Sequence, residues 1–192
     1  MDLALYSTIW VALALFVVAE GGKRRLLETG AVPGWAWPVW LTGAVMCTVH
    51  IVLAFAGRHA WSHGAAMRET ARQTAAVYGT NWGGGVYVNY LFLAAWLTEA
   101  WWWRMYPSQY FGRRAAITWS LRVLYFLIIV NAAVVFAGVP GRVIGLVLVG
   151  ALLWVWRIFD LRNVKPGLTR PSQAGQSPVP QNRARSAPPT SA

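Results

Sequence analysis

Apolar positions along the chain gather into five runs, at about residues 3–19, 34–56, 86–103, 117–137 and 143–159. Each is close to the roughly 17–25 residues that cross a hydrocarbon core of about 30 Å. A backbone in lipid must satisfy its own hydrogen bonds, so each run predicts an α-helix. The expected architecture is all-α: a polytopic membrane helical bundle of five transmembrane helices, forming one domain over residues 1–160.

Between the second and third runs the period changes. From His63 to Tyr78 a stripe of Met67, Ala71, Ala75 and Tyr78 stands opposite Arg68, Glu69, Arg72 and Gln73. This spacing predicts a short amphipathic helix over about 63–78, lying on the outer membrane surface with the stripe turned towards the bundle. Ser62 suits its N-cap and Gly79 its C′ position. Pro33 and Pro38 mark the start of the second run, where a missing N–H costs little. Gly138-Val139-Pro140-Gly141 reads as a tight turn joining the last two runs in an antiparallel hairpin. Beyond Asp160, residues 161–192 are rich in Pro, Ser, Gln, Ala and Arg and predict a disordered basic cytoplasmic tail.

Composition agrees with the runs. The chain is 57% hydrophobic and 12% charged, against about 25% charged in a soluble domain. A net charge of +11 raises the question of nucleic acid. The basic residues sit between and after the runs, however, where membrane topology explains them, so no nucleic-acid partner is expected. Alternating sides from the Lys23-Arg24-Arg25 cluster puts 12 of the 17 basic residues on one face, with Arg122 inside a run. That bias predicts a cell inner membrane protein with its N-terminus outside and its C-terminus cytoplasmic. Asp2, with no Lys or Arg before the first run, argues against a secretory signal. Trp35, Trp37, Trp40, Trp101, Trp102, Trp103, Trp119, Trp154 and Trp156 cluster near the inner boundary and read as an interfacial belt. The expected partners are the lipid bilayer and other membrane-protein subunits.

Chemistry concentrates between His50 and Arg104. His59 and His63 are four apart, and on one helix Met67 would extend their face by a further turn. Imidazole and thioether together suit a transition metal. His50, nine residues before His59, lies inside a run, where a histidine is a functional candidate by default. A bend at Gly57 would bring His59 back over the bundle. His50, His59, His63 and Met67 are therefore the candidate ligands, for Cu, Zn or Fe, or for haem b. The competing reading makes each histidine a hydrogen-bonded packing residue.

Glu99 and Arg122 lie at similar depth on antiparallel runs and are expected to form a structural ion pair. Asn89 and Asn131 are polar positions within runs, expected to face the interior. Gly83-Gly84-Gly85 follows no predicted strand and is not a dinucleotide fingerprint; it marks close backbone approach. Cys47, the one cysteine, reads as a small buried hydrophobe. With no catalytic triad, P-loop or HExxH motif, hydrolase and NTPase readings fall away. A non-catalytic membrane subunit or scaffold ranks first, a metal- or haem-dependent redox protein second. A small transporter using Glu99, Arg122 and Asn131 ranks third.

Overall fold

The computed structural model describes residues 2–162, and among them every regular element is helical. In chain order these are α1 (Asp2–Thr29), α2 (Ala36–Arg58), α3 (His63–Tyr78), α4 (Gly85–Met105), α5 (Pro107–Phe111), α6 (Ala115–Val130) and α7 (Val139–Arg162). A π-helical turn, Asn131–Val135, extends α6. The expectation of a disordered tail falls on residues outside the described ones; α7 itself runs past 160 to Arg162.

Four helical segments are long and apolar enough to cross a membrane: Leu3–Leu26, Ala36–Arg58, Ala115–Val135 and Val139–Trp156. The chain is on this ground an integral membrane protein. The third apolar run forms α4, which is 21 residues long but is not among the four. Its tyrosines, its tryptophans, Asn89 and Glu99 make it less apolar than its neighbours.

α1 packs most extensively on α2, and small residues allow it. Ala12, Ala19, Ala36 and Ala44 are fully buried. A Cβ on Gly22 would stand 2.7 Å from the Ala36 Cβ. Aromatic rings fill the space between α1, α2, α4 and α6: Phe16 lies 4.9 Å from both Trp40 and Trp96 and 5.1 Å from Tyr125, centroid to centroid. Such tilted and edge-on pairs add to the burial of area itself.

Three local features depart from the sequence expectations. First, α2 runs through Gly57 to Arg58 without ending, and the chain reverses at Ala60 and Trp61, both left-handed with φ of 45° and 60°. The Trp61 N–H closes on the Phe55 carbonyl at 2.9 Å, across a reversal in which two successive non-glycine residues are left-handed. Second, Pro140 and Gly141 belong to the first turn of α7, not to a tight turn. Third, the α6 ladder slips into the π turn, whose carbonyl edge is capped by Arg142: Nε donates to Val134 O at 2.9 Å.

α3 has the expected bounds and the expected caps. The Ser62 hydroxyl accepts from the Ala65 N–H, and left-handed Gly79 follows the last turn. Its inward face is turned from the expected one. Ala66 and Thr74 are buried, whereas Tyr78, the end of the expected stripe, is exposed. The glycine run explains the close seating: a Cβ on Gly83 would stand 2.6 Å from the Met67 carbonyl oxygen.

Candidate functional site

Polar side chains gather at two ends of the bundle. One, the histidine end, lies at the α2–α3 reversal. The other, the basic end, lies where Lys23, Arg104 and Arg113 fall.

At the basic end, α1 continues well past Ala19, the expected end of its apolar run, and carries Glu20 and Lys23 into the protein. Lys23 Nζ donates to Glu20 Oε1 at 2.7 Å. Trp156 Nε1, from α7, donates to Glu20 Oε2 at 2.8 Å. The Lys23 ammonium is buried, 3.1 Å from the ring centre of Trp40, with the rings of Trp103 and Tyr110 at 5.3 and 5.5 Å. Trp40, Trp103 and Trp156 are therefore buried parts of an ion site, and not members of an interfacial belt. Trp35, Trp101, Trp119 and Trp154 remain exposed, as a belt requires. A cation held against ring faces gains from the ring quadrupole, more so when desolvated.

Glu99 of α4 is 3% exposed. Arg113 Nη1 donates to its Oε1 at 2.5 Å, and the Tyr125 hydroxyl of α6 donates to Oε2 at 2.8 Å. Arg113, from the segment between α5 and α6, is thus a cation on Glu99 that the sequence had not pointed to. Arg122 is also buried and lines the same cavity, its guanidinium 5.4 Å from the Trp119 ring centre and 5.5 Å from that of Trp156. Antiparallel packing brings the two helices to one depth, as expected. Arg113 reaches the carboxylate from the side because the one-turn helix α5 folds the chain back under α4. Its Nε is fixed by the Thr118 hydroxyl at 3.0 Å.

These groups enclose a cavity of about 100 Å³. Tyr110 of α5 is 1% exposed, and its hydroxyl has no hydrogen-bond partner among the described residues. Burial pushes that hydroxyl up to about 12, so it stays a protonated donor at neutral pH. Sequence reasoning missed Glu20, Arg113, Tyr110 and Tyr125. One signal was readable: Glu20 and Lys23 stand three apart, directly after an apolar run, on one helical face.

At the histidine end His50 has a partner of its own, while His59 and His63 both meet the Phe55 ring. His50 Nδ1 lies 2.9 Å from the Leu5 carbonyl oxygen, which can only accept, so Nδ1 carries the proton. His59 is the C-cap of α2 and meets the Phe55 ring edge-on at 5.7 Å. His63 has Nδ1 at 3.3 Å from the Tyr90 hydroxyl and Nε2 at 3.3 Å from the Tyr87 hydroxyl. Its ring lies near-parallel beside those of Phe55 and Tyr90, at 6.3 and 5.9 Å, and these two are 6.3 Å from each other. The Tyr87 hydroxyl also approaches Met67 Sδ at 3.9 Å.

The metal reading of His50, His59, His63 and Met67 is not supported by this arrangement. Among the described residues no group of three or more His, Cys, Asp or Glu side chains is placed to hold an ion. The physical reason is the break between α2 and α3. His59 and His63 lie on different helices, so their four-residue spacing does not put them on one face. Both nitrogens of His63 are already engaged by tyrosine hydroxyls.

Of the two asparagines, Asn89 is exposed on α4, against the expectation of an interior position. Asn131 opens the π turn, accepts from the Tyr78 hydroxyl at 2.5 Å and donates to Leu127 O at 2.7 Å. It stands nine residues along α6 from Arg122, about 13 Å at 1.5 Å per residue, and so joins α3 to α6 at the histidine end. Cys47 is buried in the core, as expected.

No family model, curated protein or solved structure matches the chain.

Proposed function

We propose that the chain is a five-span protein of the cell inner membrane, N-terminus outside and C-terminus cytoplasmic, working as a non-catalytic membrane subunit or scaffold. One observation carries this reading: the buried charges are spent on joining helices. Glu20 on α1 is held from α7 by Trp156, and Glu99 on α4 from α6 by Tyr125. Both acids have both oxygens occupied. A carboxylate poised for proton transfer needs a reachable substrate proton within hydrogen-bond distance; these two are committed to neighbours.

The fifth span is α4. At 21 residues it is about 32 Å long at 1.5 Å per residue, enough to cross the core. Its polar groups turn inward or sit near its ends, and its exposed surface carries Leu91, Leu97 and Trp101. Many large apolar residues of α7, including Val143, Val147 and Leu153, are also exposed. Lipid or a partner helix would cover them.

Two measurements test the proposal. Gln73→Cys and Ser108→Cys, labelled in intact cells with a membrane-impermeant maleimide, should react from opposite sides, Gln73→Cys alone from outside. Equal labelling from one side would remove α4 as a span. The purified protein should carry no stoichiometric transition metal and no haem absorption, and should migrate in native membranes well above its 21.2 kDa. A Soret band, a bound metal or a strict monomer would end the scaffold reading.

A further inference from the structure

We propose that the cavity at the basic end binds a phosphate oxyanion, presented by an anionic phospholipid headgroup or as free phosphate. The cavity wall is rich in donors and has its acceptors already occupied. Glu20 receives Lys23 and Trp156, and Glu99 receives Arg113 and Tyr125. The Tyr110 hydroxyl, buried in the same wall, has no acceptor among the described residues. Its close neighbour Arg113 lies over the Tyr110 ring at 4.2 Å, and a guanidinium offers no acceptor in any orientation. Lys23 is a triple donor that gives one side-chain hydrogen bond among the described residues, to Glu20.

A group that brings several acceptors and no donor completes such a wall, and that describes an oxyanion. Water would add two more donors. A cavity of about 100 Å³ has room for one tetrahedral phosphate group. Arginine recognises phosphate through paired N–H bonds. Leu26 and Phe111 contribute an apolar part of the lining, against which an acyl chain can lie. Basic pockets between membrane helices at the cytoplasmic side hold anionic headgroups on this principle. The lipid as source rests on the membrane reading above; the oxyanion site does not.

The test uses the full chain, delipidated in a non-ionic detergent, with the thermal unfolding midpoint as readout. Phosphatidylglycerol should raise the midpoint, and diacylglycerol with the same chains should leave it unchanged. Tyr110→Phe keeps the ring and every charge. It should weaken half-saturation by phosphatidylglycerol about tenfold, the loss expected for one hydrogen bond to a charged group, without lowering the ligand-free midpoint. Arg113→Lys, which keeps the charge and loses the paired geometry, should weaken it too. A Tyr110-dependent rise with inorganic phosphate alone assigns the free anion; a rise confined to phosphatidylglycerol assigns the lipid. No rise with either, or a rise that Tyr110→Phe and Arg113→Lys both leave intact, overturns the site. Failure of the membrane reading would show separately, as recovery of the chain in the soluble fraction before any ligand is added.

Discussion

The basic end and the histidine end carry similar numbers of polar side chains and treat them in opposite ways. At the basic end acids and cations are buried and drawn together with tyrosine and tryptophan donors from α1, α4, α5, α6, α7 and the segment after α5. At the histidine end the three imidazoles are partly exposed and are held by nearby carbonyls, hydroxyls and rings. The difference follows from the cost of desolvation. An isolated ion in a low-dielectric interior is so costly that it must find a partner, and partners of partners collect into a network. A neutral imidazole needs only a carbonyl or a hydroxyl, which the nearest helix supplies. His50 finds Leu5 and His63 finds Tyr87 and Tyr90. Clustering is therefore evidence of charge, and histidines close in sequence need not share a site.

Three experiments put this contrast under pressure, and they are ordered by expected size. Lys23→Ala leaves Glu20 buried without its cation and should cost about 3–5 kcal/mol, the usual penalty for breaking a buried pair. Adding Glu20→Ala should recover part of that loss. Denaturation of the purified protein in mixed micelles measures both. A Lys23→Ala protein as stable as the parent would mean that the ammonium is not desolvated.

A double-mutant cycle comes next. Coupling between Glu99 and Arg113 should reach about 0.5–3 kcal/mol, the range for residues in one network. Single effects that simply add would remove Arg113 from the Glu99 site. The smallest effect is expected at the histidine end. His63→Phe keeps the ring contacts with Phe55 and Tyr90 and releases the exposed Tyr87 hydroxyl and the half-buried Tyr90 hydroxyl, so it should cost about 1 kcal/mol. A loss as large as that of Lys23→Ala would show that the two ends do not differ in kind.

The helices were largely legible in sequence because lipid leaves the backbone no alternative to helix, and apolar length reports it directly. The bounds of α3 were legible for a second reason: Ser62 and Gly79 are caps whose chemistry is local. The site was legible only in part. Glu99 stood out as an acid within an apolar run. Arg113 did not, because its role depends on how the one-turn helix α5 turns the chain back, a tertiary fact with no periodic signature. Lys23 was read as a topology charge because its apolar run ends at Ala19, while the helix continues to Thr29. The histidines misled because a spacing of four implies one face only on a continuous helix, and the left-handed pair Ala60–Trp61 interrupts it. Asn89 misled through the assumption that polar groups in a span turn inward; near the end of α4 it can reach the interface.

Cys47 has a further consequence. It is the one cysteine of the chain, and it is 3% exposed in the aromatic core. A polar thiol reagent can reach it only when the packing around α2 opens. In the native protein, the rate at which that thiol is consumed is thus a clock for spontaneous opening of the bundle. It is read without introducing any probe, and it should slow in the presence of whatever holds the helices together.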